Sequence, residues 1–251
     1  MDPRFVVADG PGPLIATAIH DGHALRDELA TWVSLDEASR LREEDPYTGR
    51  IARVVPTHLI ARHSRFEVDL NRPRDRAVYA RPEDAWGLTV WNGPLGPDVI
   101  ARSLAVYDDF YALLSRTITA KIARHGRVAI LDVHSYNHCR ENRTPADPAQ
   151  NPEVNVGTGT VDHARWGSLV SRFMTDLGAC DLDVRENVKF KGGEMSTWIH
   201  RTFPANAVCL AIELKKTFMD EWSGVANDAH IARLARAIAT TLPGLVEELS
   251  R

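Results

Sequence analysis

Short apolar runs alternate with amphipathic stretches along this chain. The apolar runs have the length of buried strands and span residues 13–19, 127–134 and 207–215. The amphipathic stretches have the period of helices and span residues 34–44, 98–126, 168–178 and 226–249. Because strands and helices alternate and the amino-acid composition is uniform along the chain, the pattern predicts one three-layer α/β/α domain over residues 1–251. Its central sheet is expected to be mainly parallel.

Two shorter segments carry local signals of their own. Residues 58–71 end in alternating apolar and polar positions, which predicts a strand or an extended ribbon. Asp45 followed by Pro46 is typical of a helix start, with aspartate as the N-cap and proline as the first helical residue. Neither segment has the composition of a linker, in keeping with a single domain.

A long polar segment, residues 135–161, follows the second predicted strand and is rich in turn-forming residues. Long loops at strand ends often cover or line active sites. We therefore expect His138, Arg140 or Arg143 to contact a substrate. The Phe-Lys-Gly-Gly sequence at 190–193 gives the backbone freedom to approach a ligand, although a tight turn without a ligand explains it equally well.

Composition and charge narrow the classes of function. The 251 residues are 44% hydrophobic and 25% charged, which is ordinary for a globular protein. A formal net charge of −4 gives no electrostatic basis for binding nucleic acid or an acidic membrane. The three cysteines include no Cys-x-x-Cys pair, which disfavours a disulfide framework. No run approaches the roughly 18 apolar residues of a membrane span, and no signal peptide is visible, so we expect a cytoplasmic protein.

Side chains that can bind a metal or move a proton follow the three predicted strands. His20, His134 and Glu213 lie at or next to their carboxyl ends, which is the edge where open α/β sheets bind ligands. Two imidazoles and one carboxylate suit a catalytic zinc ion, so we predict a zinc site with His20 and His134 as ligands. Asp132 shares a strand face with His134 and is expected to orient its imidazole, with a role in a turn as the alternative.

The third metal ligand is open between neighbouring acids. Glu43, Glu44 and Asp45 stand directly before a predicted helix, where acids also complement the helix dipole. If Asp45 caps the helix, Glu44 is the freer ligand; otherwise Glu44 and Asp45 fit equally. His23 is the next alternative, because the spacing His20-x-x-His23 can bind a metal from a turn.

Four sequence blocks resemble, in their order and spacing, the N-formylglutamate amidohydrolase family. They are "HDG" at 20–22, the stretch at 63–75 containing "DLNRP", "LDVHS" at 131–135, and the stretch at 190–221 containing "FKGG" and "AIELKK". The resemblance spans roughly residues 13–222. It implies a fold like that of zinc carboxypeptidases, with a zinc ion held by two histidines and an acid, a glutamate base, and an arginine for the substrate carboxylate.

The resemblance also implies roles for individual residues. His20 and His134 correspond to the histidine ligands, with the acid within residues 43–45. Glu213 takes the position of the general base and acid. Asn71 and Arg72 correspond to the pair that binds the substrate carboxylate. This sequence departs from the usual pattern in "HDGH" and "EEDP", which points to a subgroup and weakens the case for formylglutamate itself as substrate.

Arginine suits carboxylate recognition because its planar guanidinium donates two parallel hydrogen bonds. Arg72 is the first candidate, followed by Arg65, Arg74 and Arg76, for which a solvated basic turn is the alternative interpretation. Zinc lowers the pKa of its bound water toward about 7. Glu213 would accept the water proton and pass it to the leaving amine.

These residues predict a zinc-dependent amidohydrolase with one zinc ion per chain, another divalent metal being the alternative. The substrate would be an N-acyl amino acid, such as an N-formyl one, or a related carboxylate, free or within a peptide. A second hypothesis is an arginase- or agmatinase-like hydrolase, but no acid-rich pair of manganese motifs is visible. A third is a metal- or ligand-binding protein without catalysis, which the presence of Glu213 disfavours.

Overall fold

The computed structural model describes residues 4–139 and 143–251. The strands are β1 (Phe5–Ala8), β2 (Leu14–Ala18), β3 (Thr57–Ala61), β4 (Val128–Tyr136), β5 (Val154–Gly157), β6 (Val184–Glu186) and β7 (Ala207–Lys215). The α-helices are α1 (Asp27–Ala30), α2 (Glu37–Glu43), α3 (Thr48–Ala52), α4 (Pro97–His125), α5 (His163–Gly178), α6 (Glu194–Thr202) and α7 (Asp228–Ser250). Within the described ranges, no helix is both long enough and apolar enough to span a bilayer.

The strands form one seven-stranded sheet in the order β1-β3-β2-β4-β7-β5-β6. β1 pairs antiparallel with β3, and β5 pairs antiparallel with β7. The remaining neighbours are parallel. The two central strands, β4 and β7, are nearly continuous apolar runs, as expected for strands covered on both faces. The predicted α/β fold with a mainly parallel sheet is confirmed.

Helices cover both faces of the sheet, and the period of two along a strand decides which face each side chain meets. On β4, Leu131 packs in a core with residues of α3, α5 and α7, whereas its neighbour Ile130 packs in a second core with residues of α4 and α6. Asp132 and His134 have the parity of Ile130. The functional side chains of β4 therefore point to the face that α4 and α6 cover.

The predicted helix start at Asp45 is wrong. Helix α3 begins three residues later, at Thr48, and the preceding Tyr47 has a left-handed backbone with φ of 71°. The side chain of Asp45 does not cap the helix because one carboxylate oxygen lies 3.0 Å from Nδ1 of His134 and the other accepts a hydrogen bond from the Ser135 hydroxyl. A tertiary interaction has thus displaced a local capping preference.

Two other predictions need correction. Strand β3 ends at Ala61, and residues 64–71 form turns whose backbone N–H groups donate to nearby carbonyls. The apolar residues of this segment are nevertheless buried. Phe66 packs in one apolar cluster, and Val68 and Leu70 pack in another. The segment 135–161 is not all loop, because β4 continues to Tyr136 and β5 lies within it.

Candidate metal centre and active-site cavity

The carboxyl ends of β2, β4 and β7 open onto a cavity of about 550 Å³. Its polar and acidic lining consists of His20, Glu43, Asp45, Asn71, His134, Ser135, Asn137 and Glu213. Its basic lining consists of Arg65, Arg72, Lys189, Lys191 and Lys216, and its aromatic lining of Trp86, Tyr136 and Phe190. The three strand ends singled out in the sequence therefore meet at one site, the edge of a parallel sheet where ligands bind.

His20, Asp45 and His134 form a buried cluster at the base of this cavity, each at most 2% exposed. Oδ2 of Asp45 lies 3.0 Å from Nδ1 of His134 and 3.3 Å from Nδ1 of His20. The two imidazole rings are 4.8 Å apart at an angle of 60°. The backbone N–H of Asp45 donates to the carbonyl of His20 at 2.8 Å, which ties the loop after α2 to the end of β2.

A carboxylate stands behind each imidazole. Nε2 of His20 lies 2.7 Å from Oδ1 of Asp69, and Nε2 of His134 lies 2.8 Å from Oδ2 of Asp132. A carboxylate only accepts hydrogen bonds, so Asp69 and Asp132 favour an imidazole proton on Nε2, the tautomer in which Nδ1 of each ring can bind a cation. Metal-binding histidines usually have such a partner on their second nitrogen. Both Nδ1 atoms then face the Asp45 carboxylate.

The electrostatics of the cluster favour a positive charge between these groups. Burial opposes ionisation of Asp45, yet the adjacent imidazoles of His134 and His20 hold its pKa well below the usual range. Burial also disfavours the imidazolium form of His134, but the Asp132 carboxylate raises the pKa of that histidine well above its usual value. Nδ1 of His20 is buried without a hydrogen-bond partner among the described residues. Two imidazole nitrogens and one carboxylate oxygen in this arrangement fit a metal ion such as zinc.

The structure does not bring Glu44 or His23 into this cluster. The two residues pair with each other, with Nδ1 of His23 2.5 Å from Oε2 of Glu44. The other carboxylate oxygen of Glu44 accepts a hydrogen bond from Ser64. Of the acids left open by the sequence, Asp45 is the one that faces both histidines. Glu43 lines the cavity and accepts hydrogen bonds from Arg42 and Asn137.

Glu213 lies beside the cluster on β7. It is the register partner of His134 on the neighbouring parallel strand, so both side chains stand on the same face of the sheet. Its half-buried carboxylate lines the cavity. Burial raises the pKa of Glu213 to about 7. The carboxylate is therefore positioned to exchange a proton with a molecule bound in the cavity.

Asn71 bridges the cluster and helix α6. Its amide nitrogen lies 3.4 Å from Nε2 of His134, and its side-chain oxygen accepts a hydrogen bond from the Met195 backbone at 3.0 Å. Gly193 comes so close that a Cβ atom there would lie 2.3 Å from the Asn71 oxygen. A side chain at position 193 would collide with Asn71, which explains why the second residue of the pair in "FKGG" is a glycine.

The candidate arginines differ in how firmly they are held. Arg65 donates to Oδ2 of Asp69 at 2.7 Å and to the Tyr79 hydroxyl at 3.2 Å, and its guanidinium lies 4.7 Å from the Trp86 ring. Arg72 is more exposed and donates to the carbonyl of Asp84 at 3.3 Å. Arg72 therefore has fewer and longer contacts than Arg65.

Arg74 and Arg76 do not line the cavity. Arg74 pairs with Asp108 at the surface, and Arg76 lies 3.7 Å from Asp84. His138 and Arg143 are also absent from the described cavity wall. Arg140 lies outside the described residues.

Among the residues of the site that were not predicted from the sequence, Asp69 and Lys216 make the largest contribution to holding the cluster. Asp69 orients His20 and pairs with Arg65, and its position two residues before Asn71 in the "DLNRP" block is the signal that could have identified it. Lys216 is 1% exposed and donates to the carbonyls of Arg42 and Glu44 at 2.5 and 2.6 Å. It thereby holds the loop that carries Asp45. No sequence signal distinguishes it from Lys215.

The same blocks of sequence are matched by a known family. The model of the N-formylglutamate amidohydrolase family matches residues 12–219. The chain belongs to this amidohydrolase family. No protein of curated function matches its sequence significantly.

Solved structures share the fold of this family member. An N-formylglutamate amidohydrolase from Ralstonia eutropha JMP134 superposes with a TM-score of 0.79 at 20% identity, covering 97% of each chain. A gene product of Agrobacterium tumefaciens superposes with a TM-score of 0.70 at 18% identity, covering 96% of this chain and 95% of its own. At these identities the similarity shows the fold alone.

Arg65 pairs with the buried Asp69, and Arg74 pairs with the exposed Asp108, both at 2.7 Å. Comparing the two pairs tests whether Arg65 stabilises the fold. Arg65→Met should lower the free energy of unfolding by about 3–5 kcal/mol, because it leaves Asp69 charged and buried without its cation. Arg74→Met removes the solvent-exposed partner of Asp108 and should leave stability unchanged within error. Urea unfolding measures both. Equal effects of the two substitutions would contradict a structural role for Arg65.

Proposed function

We propose that this protein is a zinc-dependent amidohydrolase that cleaves an amide-like C–N bond in an N-acyl amino acid or a related carboxylate. One zinc ion per chain would be held by Nδ1 of His20, Nδ1 of His134 and the carboxylate of Asp45. The observation that carries the proposal is the convergence of these three donors on one point, with a carboxylate behind each imidazole.

A bound zinc ion supplies Lewis acidity, which makes water acidic enough to ionise near neutral pH and polarises a carbonyl group. Asp69 and Asp132 keep the two imidazoles in the tautomer that presents Nδ1. Asp45 adds the negative charge that favours a divalent cation over a proton. Three protein ligands leave a position open toward the cavity, as in catalytic zinc sites.

Glu213 is the proposed general base and acid. Its carboxylate shares the sheet face of His134 and lines the cavity, and none of its oxygens is engaged in a hydrogen bond within the described residues. It would take a proton from the attacking water and return it to the nitrogen of the leaving amine. A positioned acid–base group of this kind contributes about 10²–10⁴-fold to a rate.

The charge of the cavity wall supports a substrate with a carboxylate. Arg72 is the first candidate to bind that carboxylate through two parallel hydrogen bonds, since Arg65 is already held by Asp69 and Tyr79. Lys189 and Lys191 also line the cavity and add positive charge to its wall. Asn71 would position the acyl group next to His134. A formyl group is the first acyl group to test, because the Ralstonia eutropha relative is described as an N-formylglutamate amidohydrolase.

The alternatives are less well supported. An arginase-like enzyme would need acid-rich ligands for two neighbouring manganese ions, whereas the described residues that converge at this cavity are two histidines and one aspartate. A binding protein without catalysis would have no use for Glu213 beside the cluster. We therefore retain the amidohydrolase proposal.

Metal content tests which acid is the ligand. His20→Ala, His134→Ala and Asp45→Asn should each lose most of the bound zinc, because each opens a three-ligand site. Glu44→Gln is the matched control: it changes the adjacent acid in the same way but should keep the parental zinc content, since Glu44 faces His23 and Ser64. Plasma emission spectrometry after dialysis gives the stoichiometry. Loss of zinc from Glu44→Gln with retention in Asp45→Asn would reverse the assignment.

Turnover tests the role of Glu213. Glu213→Gln keeps the size of the side chain but cannot accept a proton, so kcat for an N-formyl amino acid should fall by about 10²-fold or more. Zinc content should remain at the parental level. Lys215→Met serves as control, because Lys215 lies on the same strand and donates to the Asn151 carbonyl outside the cavity. Near-parental turnover in Glu213→Gln would exclude the general-base role.

A further inference from the structure

A second group of reactive side chains lies past the end of β4, away from the cavity wall. Nε2 of His138 is 3.6 Å from Sγ of Cys139, and Nδ1 of the same ring is 2.7 Å from Oε1 of Glu221. That oxygen also accepts the backbone N–H groups of His138 and Cys139 at 2.7 and 3.1 Å. Glu221 is 1% exposed at its side chain, whereas Cys139 is only partly buried. The imidazole of His138 therefore lies between the thiol of Cys139 and the carboxylate of Glu221.

We propose that Cys139 is a nucleophilic thiol served by His138 as its base, with Glu221 positioning the imidazole, and that it is a site of covalent modification by small electrophiles. A nucleophile within reach of a base that a third group orients is the arrangement that activates weak nucleophiles in enzymes. Nδ1 of His138 contacts Oε1 of Glu221 at 2.7 Å without hydrogen-bond geometry, so the carboxylate acts on the ring through its charge while Nε2 accepts the proton of the thiol.

The surroundings decide how the thiol is activated. Partial burial raises the pKa of Cys139, and the Glu221 carboxylate adds to that rise, so the thiol is protonated at neutral pH. Reaction therefore depends on transfer of the proton to His138 as the sulfur attacks. With iodoacetamide, the Sγ–C bond forms and the C–I bond breaks. Iodide leaves with the electron pair, and the thiol proton goes to Nε2 of His138.

The same geometry is unfavourable for a metal ion, although the three residues could supply donor atoms. Oε1 of Glu221 is already occupied by two backbone N–H groups, and its Oε2 lies 3.4 Å from the guanidinium of Arg42. The two nitrogens of His138 point at different neighbours. A cation would have to compete with the arginine and to break the backbone hydrogen bonds.

The other two cysteines supply internal references. Cys180 is also partly buried, but Sγ of Cys180 has as its partners the carbonyl of Asp176 and the hydroxyl of Thr240. Cys209 is fully buried in the sheet. Neither has an imidazole among the hydrogen-bond partners of its sulfur in the part of the chain described. A difference in reactivity between Cys139 and Cys180 therefore measures the contribution of His138.

The test is alkylation of the native protein by limiting iodoacetamide at neutral pH, with the rate at each cysteine followed by peptide mass spectrometry. Cys139 should react at least about 10²-fold faster than Cys180, the lower end of the range for a positioned base. His138→Gln should bring the Cys139 rate to within about twofold of Cys180 without changing the Cys180 rate. Glu221→Gln should give an intermediate rate.

Two further measurements keep the result interpretable. The rate at Cys139 in the urea-unfolded chain needs no variant, and it should be lower than the native rate. Added Zn²⁺ should not protect Cys139 in the His20→Ala protein. Equal native rates for Cys139 and Cys180, or an unchanged Cys139 rate in His138→Gln, would overturn the proposal. Protection by stoichiometric Zn²⁺ would replace it with a metal site.

Discussion

A buried carboxylate faced by two imidazole nitrogens is the constraint around which the active-site edge of this protein is arranged. Oδ2 of Asp45 lies within 3.3 Å of Nδ1 of both His20 and His134. Asp69 and Asp132 hold the opposite nitrogens, which directs both Nδ1 lone pairs at the carboxylate. Such an arrangement favours a positive charge among the three groups, because lone pairs and a carboxylate repel each other in a medium of low dielectric constant. The proposed divalent metal would supply that charge.

The fold buries several charged side chains at this edge of the sheet and stabilises them there. The three donors come from the end of β2, the loop after α2 and strand β4, and the parallel sheet brings them to one edge. Two buried cations stabilise the acids around them: Arg65 is bound to Asp69, and Lys216 fixes the backbone of the loop that carries Asp45. The proposed metal ligands are therefore held by strands, hydrogen bonds and ion pairs within the protein.

Much of this site could be predicted because strand ends in a parallel sheet converge. His20, His134 and Glu213 lie at the ends of apolar runs, and that placement was enough to predict that they lie close together at one edge of the sheet. The choice between Glu44 and Asp45 could not be made, because adjacent residues on a loop point in different directions and only tertiary contacts decide which one faces inward. Asp69 was missed because its segment forms turns, where period-two reasoning does not apply. Lys216 was missed because its bonds are to backbone carbonyls distant in sequence.

The local signals that failed did so for the same reason. Asp45 before Pro46 has the composition of a helix start, but its carboxylate gains more from two imidazoles than from a cap worth about 1 kcal/mol. Helix α3 consequently begins after a left-handed Tyr47. Functional geometry took precedence over local preference at this position, which is where such conflicts are expected.

Anomalous diffraction at the zinc absorption edge from crystals of the zinc-loaded protein tests the central claim most directly. We expect one strong peak at about 2.0–2.2 Å from Nδ1 of His20, Nδ1 of His134 and a carboxylate oxygen of Asp45, with both Nε2 atoms still facing Asp69 and Asp132. A peak bonded to Nε2 of either histidine, or one at Glu44 and His23 instead, would contradict it.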